Sequence, residues 1–515
     1  MNKKQTNINI VVNIIAFAVQ IMIGFYTAPV LIRALGTEAY GFIGLANDFV
    51  TYISIITAIF NSVVARFISF EMARNNVERG EQYFNSILAA DFCLAGLFSL
   101  AAAIVVPNID RIINVPKDLI LDVKITFLIT FLAYILGVIT SIFTTAAYVK
   151  NRLDIQGSRN IIQSLVRFLF IVIFLNLFQI RIYWVSAAAL IAAVVVAVLN
   201  INITRKIMPE IHVNIHKASW SMILELVKSG GWMAFTSLSA ILMRGLDLLV
   251  ANLMLGSYDM GLLSVARTFP NYFSSIINTI APIFSPVFIT LFAVGKMEEL
   301  RESTKASIKS MALILFVPLS GFLVFSGDFY TLWLGGYSAG QIRMITALST
   351  VTVIQSFFDA STSTMAQMSV VTNKLKAPVF VSFFCGLLNV VTVFLLLKFT
   401  GLGVYAIVTS STVIMVLRYV IFNSFYCAHV LGLQKREFIP GAIKTWITVP
   451  VLIMGMLIFK YLIRINSWSH LILAAVICGG LGYIGEFFML EGCKGAAKIK
   501  FYMQKLKSRK RLQKE

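Results

Sequence analysis

The stretch GWMAFTSLSAILMRGLDLLVANLML, residues 231–255, is long and apolar enough to cross a bilayer, yet it carries Arg244 and Asp247 near its middle. On a regular helix, residues three apart lie on one face, so these two charges can reach each other. A charge in the hydrocarbon core costs about 3 kcal/mol or more, and such residues therefore face a bundle interior or a watery cavity. The stretch predicts a helix of a transport protein with an anionic cargo.

The composition of the whole chain agrees with a membrane protein. Of its 515 residues, 58% are hydrophobic and only 13% are charged, and the mean hydropathy is +0.85. A soluble domain carries roughly 25% charged residues. Apolar runs of about 20 residues, the length that crosses a bilayer, recur from end to end. These features predict an all-α polytopic membrane protein.

The sequence predicts fourteen membrane spans, whose boundaries are read from the apolar runs. Spans 1–6 cover residues 8–33, 40–66, 83–106, 121–148, 159–178 and 182–203, spans 7–12 cover 230–255, 258–292, 307–334, 341–370, 377–398 and 402–426, and spans 13 and 14 cover 441–464 and 469–490. Several spans exceed 25 residues, which indicates tilt or extension beyond the membrane.

The basic residues between the spans predict the orientation. With a cytoplasmic N-terminus, the inner segments and the adjoining span ends hold many more Lys and Arg residues than the outer loops and their adjoining span ends. Because cytoplasmic loops carry an excess of Lys and Arg, this asymmetry predicts that both termini are cytoplasmic, which requires an even number of spans.

Two halves of the chain repeat each other at an offset of 220 residues. LGTEAYGFIGLANDF (35–49) aligns with LGSYDMGLLSVARTF (255–269), and both lie at the turn between the first two spans of a half. Equal orientation of the two turns indicates a parallel repeat about an axis along the membrane normal. We expect two pseudo-symmetric six-helix lobes, residues 1–203 and 230–426, a cytoplasmic linker at 204–229, two additional transmembrane helices within 427–490 and a basic cytoplasmic tail at 491–515.

The net charge of +20 and the five cysteines point to neither nucleic acid nor a metal site. The basic residues lie in short loops and in the tail, where attraction to anionic membrane lipids explains them better than nucleic acid. The cysteines are scattered and show no paired spacing, so we interpret them as small core residues. No cofactor is predicted.

The segment PVLIRALGTEAYGFIGLA, residues 29–46, resembles the opening of Wzx-type polysaccharide transporters. These are oligosaccharide-lipid flippases of the multidrug/oligosaccharidyl-lipid/polysaccharide exporter superfamily, which also contains the multidrug and toxin extrusion proteins. The pattern is an apolar first span followed by a turn, and its members here are Arg33, Leu35, Gly36, Glu38, Tyr40 and Gly41. In the second half, Asp247, Gly256 and Gly261 occupy comparable places.

That resemblance implies a function in surface polysaccharide assembly. The cargo would be an undecaprenyl-diphosphate-linked oligosaccharide, such as an O-antigen repeat unit in lipopolysaccharide biosynthesis, moved across the bacterial inner (cytoplasmic) membrane by alternating access. The partners would be this lipid-linked oligosaccharide, membrane lipids and, in the assembly pathway, a polysaccharide polymerase and a chain-length regulator.

Arginines within spans are the candidate contacts for the cargo diphosphate, because a planar guanidinium makes paired charge-assisted bonds to phosphate oxygens. The candidates are Arg244, Arg418, Arg267 and Arg167. Each also has a structural interpretation, and for Arg244 it is an ion pair with Asp247 that only locks span 7.

Acidic residues within spans are candidates for coupling transport to protons or sodium, or for balancing the charge of a nearby arginine. They are Asp247, Asp359, Asp48 and Asp91. Asp359 belongs to the polar run QSFFDASTST, residues 355–364, which needs water or protein partners at membrane depth.

Three other functions compete with a flippase. The sequence has no nucleophile–base constellation and no loop large enough for a catalytic domain, which argues against a membrane glycosyltransferase or polymerase. A multidrug exporter of the same superfamily would take cationic drugs, which several arginines suit poorly. A scaffold of a polysaccharide assembly complex would leave the charges within spans unexplained.

Overall fold

The computed structural model describes residues 3–61 and 63–492, and within these ranges the chain is helical and contains no strand. The first nine helices are α1 (Lys3–Leu35), α2 (Thr37–Asn61), α3 (Val64–Ala73), α4 (Val77–Val105), α5 (Ile109–Ile112), α6 (Ile120–Ser141), α7 (Thr145–Val149), α8 (Leu153–Leu177) and α9 (Tyr183–Ile207). The predicted tail lies outside the described residues, apart from Glu491 and Gly492.

Thirteen further helices follow. They are α10 (Trp220–Ala240), α11 (Asp247–Leu255), α12 (Ser257–Ala266), α13 (Thr268–Ile280), α14 (Ser285–Ala293), α15 (Met297–Leu334), α16 (Ala339–Ala366), α17 (Met368–Val371), α18 (Lys376–Phe399), α19 (Val404–Leu417), α20 (Ser424–Val430), α21 (Ile439–Leu462) and α22 (Trp468–Glu491). A 3-10 turn at Ala281–Phe284 separates α13 from α14, where the sequence places Pro282 and Pro286.

Within the described ranges, thirteen helical segments are long and apolar enough to cross a membrane. The predicted span 341–370 is not among them, although it forms the 28-residue helix α16. Its polar run, 355–364, lowers its hydropathy, and much of that run is buried against protein. The predicted fold class, an all-α polytopic membrane protein, is confirmed.

The chain divides into two compact units. Unit 1 comprises Met1–Val265 and Val379–Ile407, and unit 2 comprises Ala266–Pro378 and Val408–Glu515. In unit 1, α1 packs on α8, α6 packs on α4 and α9, and α2 packs on α10. One of its core clusters contains Phe60, Val64, Tyr83, Phe84, Ile87 and Ile142.

Unit 2 is built around the long helix α15. This helix packs on α16, α21 and α22, so the two additional predicted helices attach to α15 and to each other. Their shared core contains Met311, Leu315, Phe316, Val353, Leu452 and Cys478. A second cluster joins α14 and α15 to α20 and the start of α21, around Phe288, Ile308, Met365 and Phe438.

The boundaries of the two compact units differ from the predicted lobe boundaries at 203 and 230. The reason is that α10–α12 pack with the first half of the chain. At the start of α10, a Cβ added to Gly230 would lie 2.1 Å from the carbonyl oxygen of Ile59. At the end of α11, Asn252 is fully buried and forms three hydrogen bonds of 2.7–2.9 Å with the exposed Asn114. The lobe boundaries remain a prediction about the repeat.

The repeat itself is visible at the two matching turns. Gly36 and Gly256 both adopt positive φ, +84° and +107°, directly after α1 and α11. Glycine adopts this conformation without steric cost, and it ends helices there. Five residues on, Gly41 and Gly261 face each other: a Cβ on Gly41 would lie 2.8 Å from the Cα of Gly261. Small residues let the backbones of α2 and α12 touch.

Candidate functional site

Three of the four predicted arginines lie at interruptions of helical geometry. Arg244 is in a π-helical turn, Ile241–Gly245, between α10 and α11. Arg418 begins a second π-helical turn, Arg418–Asn423, between α19 and α20. Arg267 is the single residue between α12 and α13. Because π-helical turns are rare and occur frequently at functional sites, Arg244 and Arg418 are the strongest candidates among the four predicted arginines.

The turn that carries Arg244 is held by two side chains of unit 1. The Tyr52 hydroxyl on α2 donates to the carbonyl oxygen of Gly245 at 2.6 Å. The Asn389 amide on α18 donates to the carbonyl oxygen of Met243 at 3.2 Å. Both acceptors flank Arg244, whose side chain is half-buried. Helices α2 and α18 therefore each donate a hydrogen bond to the backbone beside Arg244.

Asp247 begins α11, directly after the π-turn and Leu246. The predicted contact between Arg244 and Asp247 assumed a regular helix, in which residues three apart share a face. The wider π-turn changes that geometry, and the pairing stays a prediction.

Arg267 and Arg418 both belong to unit 2. At Arg267, the preceding carbonyl oxygen, that of Ala266, accepts a 2.6 Å hydrogen bond from Ser349, which is also hydrogen-bonded to Tyr330 at 2.7 Å. Arg418 is half-buried, and its guanidinium lies 5.8 Å from the ring centroid of Tyr419. Its Nε is buried and has no hydrogen-bond partner among the described residues.

Polar contacts between α16 and the α19–α20 region surround the second π-turn. Thr412 donates to the carbonyl oxygen of Val351 at 3.2 Å, and Asn423 donates to Thr362 at 3.3 Å. Asn423 and Thr362 are both buried, so this contact gives one polar side chain of the run a protein partner away from lipid. Two other atoms of the run, Gln355 Oε1 and Thr364 Oγ1, are buried without a hydrogen-bond partner among the described residues.

Arg167 differs from the other three. It lies on α8, a regular helix, and it is exposed.

The four predicted acids divide by burial. Asp91 on α4 is 1% exposed and accepts a 3.0 Å hydrogen bond from Ser141. Asp48, Asp247 and Asp359 are half-buried. Asp91 is therefore the member of the set that protein most fully encloses.

Unit 2 also contains an apolar cavity of about 390 Å³ between α13, α15, α21 and α22. Aromatic rings dominate its wall, among them Phe269, Phe273, Phe322, Phe325 and Phe329. Phe269 stacks on Phe322, with 5.5 Å between the ring centroids. The cavity suits an aliphatic ligand and offers almost no hydrogen-bonding groups.

The sequence did not predict several buried polar residues, because an isolated polar residue in an apolar span forms no recognisable motif. Asn389 belongs here, as do Arg159, which is hydrogen-bonded to Asn200, and the fully buried Glu486 of α22. The half-buried Tyr52 was not predicted either. Both carboxylate oxygens of Glu486 lack a hydrogen-bond partner within the part of the chain that the structure describes. No group of three or more His, Cys, Asp or Glu residues there is placed to hold a metal ion.

Residues 8–292, more than half of the chain, match the family model described as polysaccharide biosynthesis protein. The chain belongs to this family. It is also 29% identical over 478 residues to the uncharacterized membrane protein EpsK of Bacillus subtilis (strain 168), an alignment that covers 91% of this chain and 92% of EpsK.

Solved structures of two transport proteins have a similar fold. A multidrug resistance MATE family transporter of the MOP superfamily, in an inward-facing conformation, matches with a TM-score of 0.66 at 13% identity, over 82% of this chain and 98% of its own. The lipid II flippase MurJ, inward closed, matches with a TM-score of 0.64 at 14% identity, over 93% of this chain and 99% of its own. The resemblance to the Wzx-type flippases of this superfamily is confirmed.

Proposed function

We propose that this membrane protein moves an undecaprenyl-diphosphate-linked oligosaccharide, a repeat unit of a surface polysaccharide, from the inner to the outer leaflet of a bacterial cytoplasmic membrane by alternating access. The observation that carries the proposal is the placement of Arg244 in a π-turn within a predicted span, in a chain of the polysaccharide biosynthesis family. Both termini are cytoplasmic in this proposal, as the distribution of basic residues predicts.

The arginines supply the contacts to the diphosphate. A guanidinium binds phosphate oxygens through paired hydrogen bonds, and it stays charged at any physiological pH. Arg244 is the primary contact in unit 1, with Arg167 as a secondary candidate, and Arg267 and Arg418 are the candidates in unit 2. The buried Nε of Arg418 supports this role, because such a donor gains a partner when an anion binds.

The apolar cavity beside α21 and α22 is the proposed contact for the lipid tail. Its wall of phenylalanines matches a long hydrocarbon chain in chemistry, and two helices beyond the repeat, α21 and α22, contribute Met456, Leu471 and Cys478. A polyprenyl chain is far longer than the cavity, so only a segment of the tail would occupy it.

The acids are the proposed coupling groups. Asp91 is enclosed by protein and accepts a hydrogen bond from the Ser141 hydroxyl, an environment that suits a carboxylate that binds and releases a proton. Asp247, Asp359 and Asp48 remain candidates for coupling or for charge balance. If Asp91 or Asp247 couples transport to an ion, its substitution by asparagine should change the dependence of export on pH or on sodium, while the protein level stays the same. A balancing role predicts only a lower protein yield.

Gene deletion tests the proposed function. Deletion should leave lipid-linked oligosaccharide on the cytoplasmic face and remove the surface polysaccharide, and a plasmid copy should restore it. A polymerase and a chain-length regulator are the expected partners downstream. Unchanged surface polysaccharide together with increased susceptibility to cationic drugs would favour the multidrug exporter that the MATE-like fold also permits.

A further inference from the structure

The π-turn of residues 241–245 interrupts the regular hydrogen-bond ladder of one helix running from Trp220 to Leu255. Such interruptions persist when neighbouring groups satisfy the displaced carbonyls. Here the Met243 carbonyl accepts from Asn389 and the Gly245 carbonyl accepts from Tyr52. The two acceptors are the residues immediately before and after Arg244.

Close packing brings α18 to the turn. A Cβ added to Gly386 would lie 2.7 Å from the Cβ of Leu242 and 3.1 Å from the backbone nitrogen of Met243. Asn389 follows three residues later, on the same face of α18, and is 3% exposed. The glycine therefore allows the approach that the asparagine hydrogen bond needs.

The approach from α2 is similar. Tyr52 packs its ring on Phe49, with centroids 5.4 Å apart, and this contact aims the hydroxyl at the Gly245 carbonyl. Helices α2 and α18 thus each contribute a hydrogen-bond donor to the turn.

We infer that Tyr52 and Asn389 are positioning residues for Arg244: by holding the carbonyls on either side of it, they fix the direction in which its guanidinium points. This inference rests on the proposed function, in which Arg244 binds the cargo diphosphate. Paired guanidinium–phosphate bonds require a defined plane and direction, so a loosened turn weakens binding even though the charge remains.

Hydrogen–deuterium exchange on the purified protein tests the hydrogen bonds without any cargo. Tyr52→Phe removes only the hydroxyl, and we expect the peptide covering residues 241–249 to exchange about 3- to 10-fold faster, the effect of losing one buried hydrogen bond. Asn389→Leu should act on the same peptide. Tyr83→Phe is the matched control, because the Tyr83 hydroxyl binds Glu225 at 2.6 Å near the start of the same helix.

Transport in liposomes with a fluorescent polyprenyl-diphosphate-linked disaccharide tests the positioning role. In a protein that keeps Arg244, Tyr52→Phe should raise the half-saturating cargo concentration about 3- to 10-fold. In a protein that also carries Arg244→Lys, the same substitution should raise it by less than about twofold, because lysine has already lost the planar geometry. Tyr83→Phe should leave it unchanged.

Unchanged exchange in Tyr52→Phe and Asn389→Leu would overturn the inference whatever the cargo is. An equal transport effect of Tyr83→Phe, or an undiminished effect of Tyr52→Phe in the Arg244→Lys background, would also overturn it. Faster exchange combined with full transport by Arg244→Ala would instead support the hydrogen bonds to the turn and contradict the proposed diphosphate contact.

Discussion

Arg244 lies where the local backbone geometry departs from a regular helix. A regular helix would present it on a face set by its neighbours at three- and four-residue spacing. The π-turn widens the helix at this point, and Tyr52 and Asn389 donate hydrogen bonds to the carbonyl oxygens on either side of Arg244. The charge is evident from the local sequence. In our inference, the direction of the guanidinium depends on Tyr52 and Asn389, which are far away along the chain.

Arg244→Ala should abolish polysaccharide export at normal protein level, and Arg244→Lys should retain part of it. Lysine keeps the charge but loses the paired geometry toward phosphate. Surface polysaccharide, normalised to membrane protein level by immunoblot, is the measurement. Arg111→Ala, which removes an exposed positive charge from the same unit, is the control and should export normally. Full export by a well-expressed Arg244→Ala protein would remove this residue from the site.

At the scale of elements, the crossing of α2 and α12 depends on two glycines related by the repeat. A Cβ on Gly261 would lie 2.5 Å from the carbonyl oxygen of Thr37, a distance at which backbone must move. Gly261→Ala should therefore lower the free energy of unfolding of the detergent-solubilised protein by about 1–3 kcal/mol, the range for overpacking, and this loss should appear as a lower melting temperature.

Gly96→Ala is the control for that substitution. Gly96 also lies within a helix, α4, but a Cβ there meets no atom within 4 Å. Alanine should be neutral or stabilise the helix by about 0.5–1 kcal/mol. An equally stable Gly261→Ala protein would show that the two helices do not depend on this contact.

A second element-scale feature is the attachment of the α20–α21 loop to α15. Glu437 contacts Lys305 Nζ at 2.8 Å and accepts a 2.6 Å hydrogen bond from Arg301 Nε, and these cations hold the pKa of its carboxyl below the usual range. A lowered pKa means that the stabilisation is fully present above the ordinary glutamate pKa, about 4.3, and is lost as pH falls through the lowered value.

Glu437→Gln should therefore reduce thermal stability at pH 7, and the difference from the unsubstituted protein should shrink as the pH is lowered below about 4. High salt should reduce the difference as well, because the pair is near the surface. Thermal unfolding across a pH series measures both effects. A difference that does not change with pH would assign the loss to packing instead of charge.

The sequence predicts these elements unevenly. It predicts the repeated turns, because Leu-Gly with a helix on either side is a local signal, and Gly36 and Gly256 both adopt the positive φ expected of a helix end. It could not predict the π-turns, because the residues that stabilise them come from other helices. Nothing in the local sequence around Arg244 distinguishes a π-turn from an α-helix.

At the scale of the molecule, the lengths of the apolar runs predicted the helices. The hydropathy of α16 alone does not mark it as a membrane span. That helix is polar in its second half but buried, so its place in the fold depends on partners such as Asn423. The division into compact units was not predictable either. It follows from contacts such as Asn114 with Asn252, which connect residues 138 positions apart.

The cavity beside α21 and α22 gives a prediction for the whole molecule. Gly321 lines it, and a Cβ there meets no atom within 4 Å, so Gly321→Leu should fill the cavity without distorting α15. Transport of a cargo with a long polyprenyl tail should slow at least severalfold, while a short-tailed analogue should be transported normally. Gly137→Leu, at an exposed position of α6 with equal space, is the control.

Translocation in reconstituted liposomes tests the central claim most directly. The purified chain is placed in vesicles with a polyprenyl-diphosphate-linked oligosaccharide in one leaflet, and a lectin added outside reports the arrival of the glycan in the other. We expect the unsubstituted protein to equilibrate the leaflets far faster than protein-free vesicles, and Arg244→Ala to match the protein-free rate. Equilibration no faster than in protein-free vesicles, for a protein that is folded and incorporated, would contradict the assignment of this cargo.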